Sequence, residues 1–423
     1  MSLRENDDIN NIYIKKTKKS ILNKRLDLFL LLVILIMLIT PLIRNFFLKI
    51  EAVPEDTNVN LYLSLQCEKF FGLEMTEILI REFEELNPGI QIHLSSSEHE
   101  PDIYIFNDGD FGGLVFQNEL LELNSYTNYE SGSAQLAIPL VSFINLLFYN
   151  IDILTKAGFD SPPKTREEFT AYSRTVSRGD FGAAGAALSL DKNDHQALYR
   201  DVFSWIWASG IDFWENSGVP SFNTRNMINE LTFLETLNRE GSLANGTFET
   251  TGEQRIEQFV RGEVALMIAS SYIIPYLREK MGDSSFGITI VPGYFTGGKY
   301  NIGINSIYTA ISAACEYPEQ AWNFLLFLTE KSSLFCSELK AVPGAVSSII
   351  PGEYVKDDPF YSKAWEIFEA SEIAEGFIGK PGAEDYRAVF LEELQSLFER
   401  VRSASQTVNR IQQRWNEISA ADE

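Results

Sequence analysis

"AIPLVSFINLLFYNIDILTKAGFDSPPKTREEF", residues 137–169, decides how this chain is organised. Val141, Phe143, Ile144, Leu146, Leu147 and Phe148 suit a strand with little water on either face. Ile151 to Ala157 can make two helical turns. Gly158 then adopts positive φ cheaply just past their end. Pro162 and Pro163 cannot continue a helix and force an extended path. Thr165, three residues before Glu168, forms the pattern of a capping box opening an amphipathic helix. The segment therefore reads strand, short helix, rigid link, helix. Two explanations stand: an ordinary αβ connection, or a strand that crosses between two lobes.

A chain of 423 residues exceeds one typical core and suggests two domains. Its 45% apolar and 22% charged residues are those of a folded globular protein. Cys67, Cys315 and Cys336 are too few for a disulfide scaffold and lack C-x-x-C spacing. His93, His99 and His195 are scattered, which argues against a histidine-based metal site. No metal and no cofactor are expected.

The N-terminus differs from the rest. Leu28 to Ile43 carries no charge, and Phe46, Phe47 and Leu48 extend the apolar run. About 20 apolar residues span a bilayer. Lys15, Lys16, Lys18, Lys19, Lys24 and Arg25 precede the run, which places the N-terminus in the cytoplasm and the bulk of the chain outside. A cleaved signal peptide lacks a small-x-small site close by. A lipoprotein would need a cysteine immediately after the apolar core, and Cys67 lies too late. The expectation is a cytoplasmic basic tail (1–25), a transmembrane anchor (26–48) and a linker (49–58).

Residues 1–50 hold nine of the 35 Lys/Arg and four of the 59 Asp/Glu, which leaves 26 basic and 55 acidic residues for the remainder. A soluble part that acidic repels nucleic acid and anionic lipid at long range. It also disfavours a polyanionic ligand, unless a local basic pocket overrides the average. The bland reading of the charge is solubility.

Beyond the linker, "VNLYLSLQ", "IQIHL" and "PDIYIF" read as strands, with "FFGLEMTEILIREFEELN" as a helix after the first of them. "FGGLVFQNELLELN" reads as a helix broken near Asn118. This order describes an α/β lobe with a mostly parallel sheet. Residues 165–285 read as mostly helical, with "EVALMIAS" (263–270) as the only convincing strand before "FGITIVPG". "GINSIYTAIS", the helix "PEQAWNFLLFLTEK" and a helical tail from Ala383 to Ser419 follow.

Five stretches in this order resemble the family 1 extracellular solute-binding proteins, the maltose-binding-protein-like sugar-binding subunits of ABC importers. They are "FEELNPGIQI", "PDIYIFNDGDFGGLVFQNELLEL", "PLVSFINLLFYNIDILTKAGFDSPPKTREEF", "FVRGEVALMIASSY" and "PEQAWNFLLFL". The likeness spans about residues 58–415. It implies an α/β fold of two lobes, a type II-like periplasmic-binding-protein fold with three interlobe crossings. Residues 59–147 and 294–341 would form lobe one, and 148–293 and 342–423 lobe two. Returns near Val291–Gly293 and Val342–Gly344 would supply the second and third crossings.

A sugar site wants aromatic platforms and planar polar groups. On the resemblance, Glu68 and Lys69 match an acidic-basic pair after the first strand; a solvated ion pair is the plain alternative. Phe106 falls at an aromatic platform position, followed by Asn107 and Asp108, although the family's arginine is replaced by Asp110; a core role is the plain alternative for Phe106. Phe143 and Asn145 lie on the crossing strand, with Phe143 near a ligand-binding glutamate of the family. Trp207 stands for a cluster with Trp205 and Trp214, where helical spacing also fits a core. Tyr272 replaces the family's tryptophan after "LMIASS". Asn305 and Tyr386 complete the expected ligand-binding set.

The resemblance implies a membrane-tethered extracytoplasmic receptor, its soluble part monomeric, that passes a saccharide or other neutral polar solute to ABC permease subunits. A ligand-sensing protein signalling to a membrane partner is the alternative. An enzyme is not expected: no P-loop, G-x-S-x-G or H-E-x-x-H motif is present.

Overall fold

The apolar run of the opening stretch becomes a single long strand on which two sheet halves hang. The computed structural model describes residues 58–67, 72–126, 135–194, 196–214, 220–222, 224–293, 300–344, 353–374, 376–377, 379–380 and 382–420. The expected tail, anchor and linker over 1–57 lie outside these residues. Among the described residues no helix is long and apolar enough to cross a membrane.

The first part of the chain runs β1 (Val59–Leu65), α1 (Leu73–Leu86), β2 (Ile90–Leu94), β3 (Ile103–Asn107), α2 (Asp108–Phe116) and β4 (Ile138–Asn150). A mainly helical stretch follows: α3 (Ile151–Lys156), α4 (Arg166–Arg178), β5 (Ala184–Ala187), a π-helical turn (Tyr199–Phe203), α5 (Ser204–Ala208), α6 (Arg225–Arg239) and α7 (Gly252–Val260). Next come β6 (Val264–Ser270), α8 (Ile274–Met281), β7 (Phe286–Thr289), β8 (Tyr300–Ile302), β9 (Ile304–Ile311), α9 (Pro318–Glu330), α10 (Ser332–Leu339) and β10 (Val342–Pro343). The chain ends with α11 (Glu353–Asp357), α12 (Pro359–Glu369), β11 (Ser371–Ile373), α13 (Ala383–Phe398) and α14 (Ala404–Ser419).

The main sheet has the strand order β2-β1-β3-β9-β4-β6-β5, with β7 and β10 also paired to β4. β2, β1 and β3 are parallel, and β9 joins β3 antiparallel. The partners of β4 change along its length. Ile138 to Ile144 pair with β9, whereas Asn145 to Tyr149 pair with β6. The exchange falls between Ile144, whose N–H donates to Ser271 Oγ, and Asn145, whose N–H donates to the Gly303 carbonyl. One strand thus serves both parts of the sheet, and Val59–Glu423 forms a single compact unit around it.

Local chemistry around this strand follows the residues. Gly158 takes φ +89° after α3. Thr165 caps α4 by accepting from the Glu168 N–H at 3.1 Å. The Glu168 carboxylate accepts from the Lys164 N–H rather than from Thr165, so the box is displaced by one residue. Arg166, at the first position of α4, turns inward and is 2% exposed. It lies between the Trp205 and Phe233 rings, pairs with Glu230 at 3.0 Å and donates to the carbonyls of Pro292 and Trp205 at 2.6 Å. The link through Pro292 fastens the segment after β7 to α4.

The two halves have separate apolar interiors. Tyr104, Phe106, Phe111, Leu114 and Ala310 pack under the β3–β9 side. Phe203, Phe213, Phe222, Phe377, Phe390 and Trp415 pack with α6, α13 and α14 on the other. Burying each such side chain contributes roughly 1.5–3 kcal/mol. The sequence reading missed β5, "AGAA", because it has no β-branched or aromatic residue. Small residues are needed there. A Cβ on Gly185 would lie 1.9 Å from the Ser173 carbonyl oxygen of α4.

Candidate functional site

A cleft of about 370 Å³ lies where the β3–β9 side meets the segment 189–201, α7 and the end of β6. Asn107, Asp108, Phe143, Asn305, Ser306 and Ile307 line it from one side. Ser189, Asp194, Gln196, Arg200 and Asp201 line it from the other, with Gly252, Arg255, Ser270 and Tyr272. The sides touch directly: Asn305 Nδ2 donates to Gln196 Oε1 at 3.2 Å. The Phe143 and Tyr272 rings meet edge to face, with centroids 6.0 Å apart, and Tyr272 is 42% exposed. An aromatic face of this kind can pack on an apolar ring face of a ligand.

Asn107 ends β3 and caps α2 by accepting from the Gly109 N–H at 2.7 Å. The next residue, Asp108, is buried, and its Oδ2 accepts from the Ser306 N–H at 2.9 Å. Its Oδ1 has no hydrogen-bond partner among the described residues. Burial pushes the carboxyl up to about 7, opposed in part by the Ser306 amide and by the nearby Tyr308 hydroxyl and Asn305 amide.

Opposite stands a closed ionic network. Arg200 Nε donates to Asp201 Oδ1 at 2.9 Å, and Arg200 Nη2 donates to Asp194 Oδ2 at 3.2 Å and to Ser189 Oγ at 2.9 Å. The Ser189 hydroxyl in turn donates to Asp201 Oδ2 at 2.6 Å. Burial works against the Arg200 charge, but the Asp201 and Asp194 carboxylates outweigh it and hold the guanidinium protonated. Burial likewise raises Asp201, partly offset by Arg200. Arg255 is 2% exposed; its Nη groups donate to the carbonyls of Leu188 and Asn245 and to Gln258, while its buried Nε has no hydrogen-bond partner among the described residues. Among the described residues no cluster of His, Cys, Asp and Glu could hold a metal ion.

Of the residues singled out from sequence, Asn107, Asp108, Phe143, Tyr272 and Asn305 lie together on the cleft wall. Glu68 and Lys69 fall outside the described residues. Four others lie elsewhere. Phe106 is fully buried, stacked on Tyr308 and edge-on to Phe111. β3 is covered on both faces, so the last buried position before the cleft is Phe106 and the first facing it is Asn107. Trp207 packs edge-on against Phe203 and Phe213. Tyr386 is 4% exposed, its hydroxyl paired with Ser419 Oγ at 2.7 Å. Asn145 donates to Ser204 Oγ at 3.1 Å and so joins the strand to the far lobe rather than facing the cleft. The sequence reading missed the polar residues 189–201. Their signal was present as Asn193, Asp194, Gln196, Arg200 and Asp201 within one short window, but helical periodicity there drew attention to the aromatic residues.

A family profile described as "Bacterial extracellular solute-binding protein" matches residues 79–359. The sn-glycerol-3-phosphate-binding periplasmic protein of Salmonella paratyphi A is 25% identical over 213 residues, 48% of this chain and 46% of that protein. The chain spans about half the length of the curated relatives it matches. Among solved structures, an ABC substrate-binding protein of Listeria monocytogenes in complex with cycloalternan superposes with a TM-score of 0.66 at 13% identity, over 86% of this chain and 99% of that one. The cyclic alpha-maltosyl-1,6-maltose binding protein of Arthrobacter globiformis superposes with a TM-score of 0.70 at 15% identity, over 85% and 98%. These likenesses establish the two-lobed α/β solute-binding fold. The chain belongs to the bacterial extracellular solute-binding protein family, whose members bind solutes outside the cytoplasm and are not enzymes.

Proposed function

We propose that the chain captures a saccharide in the cleft between its lobes and delivers it to the permease of an ABC transporter. In this reading residues 59–147 and 294–341 form one jaw, and 148–293 with 342–423 the other. Residues 26–48 tether the protein to the membrane. The observation that carries the proposal is the cleft wall itself: an aromatic corner, Phe143 and Tyr272, beside planar amides from both sides, Asn107, Asn305 and Gln196. Sugars offer apolar ring faces and hydroxyl edges, which such a wall matches. The sugar ligands named for the Listeria and Arthrobacter structures support the same class. A ligand held by both jaws favours the closed arrangement by its differential affinity for it.

The test is a thermal-shift screen of the full-length protein against mono- and oligosaccharides. A ligand at 100 times its dissociation constant adds about 2.7 kcal/mol. A shift with a saccharide, weakened by Tyr272→Ala, is the expected result. No shift with any saccharide, but a shift with an amino acid or a metal ion, rejects the assignment.

A further inference from the structure

The relatives include a protein named for a phosphate ester, and this cleft contains two guanidinium groups. Taken alone, those facts invite an anionic solute. The hydrogen bonds argue the opposite.

The first amide of α7 is a natural anion position, because the N–H groups at a helix N-terminus are unpaired within the helix and carry partial positive charge. Here that amide, Gly252 N–H, donates to Asp194 Oδ2 at 2.9 Å. The same oxygen accepts from Arg200 Nη2 at 3.2 Å. Arg200 is packed against Gly252 so closely that a Cβ there would lie 2.7 Å from its Nη1. Helix end, guanidinium and carboxylate therefore form one closed unit on the cleft wall. Asp194 and Arg200 are each less than one-fifth exposed. Arg255 stands apart from this unit: its Nη groups go to backbone carbonyls and Gln258, and its Nε, without a hydrogen-bond partner among the described residues, bonds to neither Asp194 nor the α7 N-terminus.

We propose that Asp194 is a built-in anion: it fills the position between the α7 N-terminus and Arg200 that a phosphate or carboxylate of the solute would otherwise take, and so restricts the cleft to uncharged solutes. The inference rests on the cleft being the solute site. It names a specificity-determining residue and deepens that reading. An anionic solute would have to displace a covalently tethered carboxylate already holding both donors, and would face Asp201 besides.

Full-length wild type, Asp194→Ala and Asp194→Asn are each titrated with inorganic phosphate, sn-glycerol 3-phosphate and, as a salt control, chloride, with thermal unfolding as the readout. Effects are read against wild type because phosphate strengthens any fold by exclusion from its surface. Wild type should show only that general effect. Asp194→Ala should bind inorganic phosphate at least about tenfold more tightly than wild type, and Asp194→Asn by a smaller factor, because its amide keeps part of the position filled. Saturable binding of either phosphate compound by wild type overturns the inference. So does a folded Asp194→Ala with no gain. Should Asp194→Ala fail to fold, wild type and Asp194→Asn decide it. A saccharide screen without hits removes the carbohydrate reading while leaving the phosphate comparison intact, so the two failures are distinguishable.

Discussion

Replacing Asp108 by asparagine should make the protein more stable at pH 8 than at pH 5, relative to wild type. In the unfolded chain this carboxyl titrates near 3.8, and in the folded protein burial lifts it to about 7. Below pH 4 both states carry the proton, and the contribution to stability is fully present. As the pH climbs, the unfolded chain releases its proton while the folded one keeps it, so each pH unit between 4 and 7 removes about 1.4 kcal/mol. Above 7 the folded carboxyl ionises too and the loss levels off, at about 4 kcal/mol in total. Asparagine has no proton to lose. It can still accept from the Ser306 N–H, which donates to Oδ2 in the wild type. The stability difference between variant and wild type should therefore grow by about 3 kcal/mol from pH 5 to pH 8, or about 4 °C in Tm for a chain of this length. Other buried acids, such as Asp201 and Glu230, are raised in the same direction, and they cancel in the comparison. Paired thermal melts of the ligand-free proteins over a ladder of buffers supply the measurement. Parallel curves, with a difference that ignores pH, would refute the argument, because they would mean Asp108 titrates as an ordinary exposed carboxyl.

Two further outcomes follow from the packing. Arg166→Ala leaves Glu230 buried without its cation and takes the guanidinium away from the Pro292 and Trp205 carbonyls, and should cost about 3–5 kcal/mol in denaturant unfolding, whereas Arg166→Met with Glu230→Leu should recover most of it; a single variant within about 1 kcal/mol of wild type would show the pair to be dispensable. Phe106→Ala should cost about 3–5 kcal/mol as a core truncation and leave the affinity of the folded protein for its saccharide unchanged, as measured by calorimetry; a selective loss of affinity would put Phe106 back on the ligand.

Much of the architecture was legible in the sequence because its signals are local. The strand-helix-proline-helix order of residues 137–169, the Gly158 stop and the Thr165 cap all depend on neighbours within a few positions. What stayed hidden was set by partners far along the chain. The exchange of partners between Ile144 and Asn145 depends on Ser271 and Gly303, and nothing in the strand itself marks it. Strand β5 is small because α4 presses on it, so its composition records a contact rather than a propensity. At the cleft, position along β3 is decided by a single residue: the resemblance pointed to Phe106, while the pleat gives the core to Phe106 and the cleft to Asn107. Trp207 and Tyr386 lie in the core for a related reason, since an aromatic side chain at helical spacing fits a core and a ligand platform equally well until the facing element is known.

The change of partner along β4 bears on the proposed clamp. Among the described residues, β4 exchanges its ladder partner between Ile144 and Asn145, and that point is bordered by closely packed groups. Gly303 has no room for a side chain: a Cβ would lie 2.7 Å from the Trp207 ring and 2.8 Å from Asn145 Nδ2. Arg166 holds the Pro292 carbonyl, and Val342 and Pro343 pair with β4. Phe143 and Asn305, paired across β4 and β9 close to that point, line the cleft together with Gln196 and Tyr272. In the proposed clamp, a solute bridging these groups would favour the closed arrangement by its differential affinity for it.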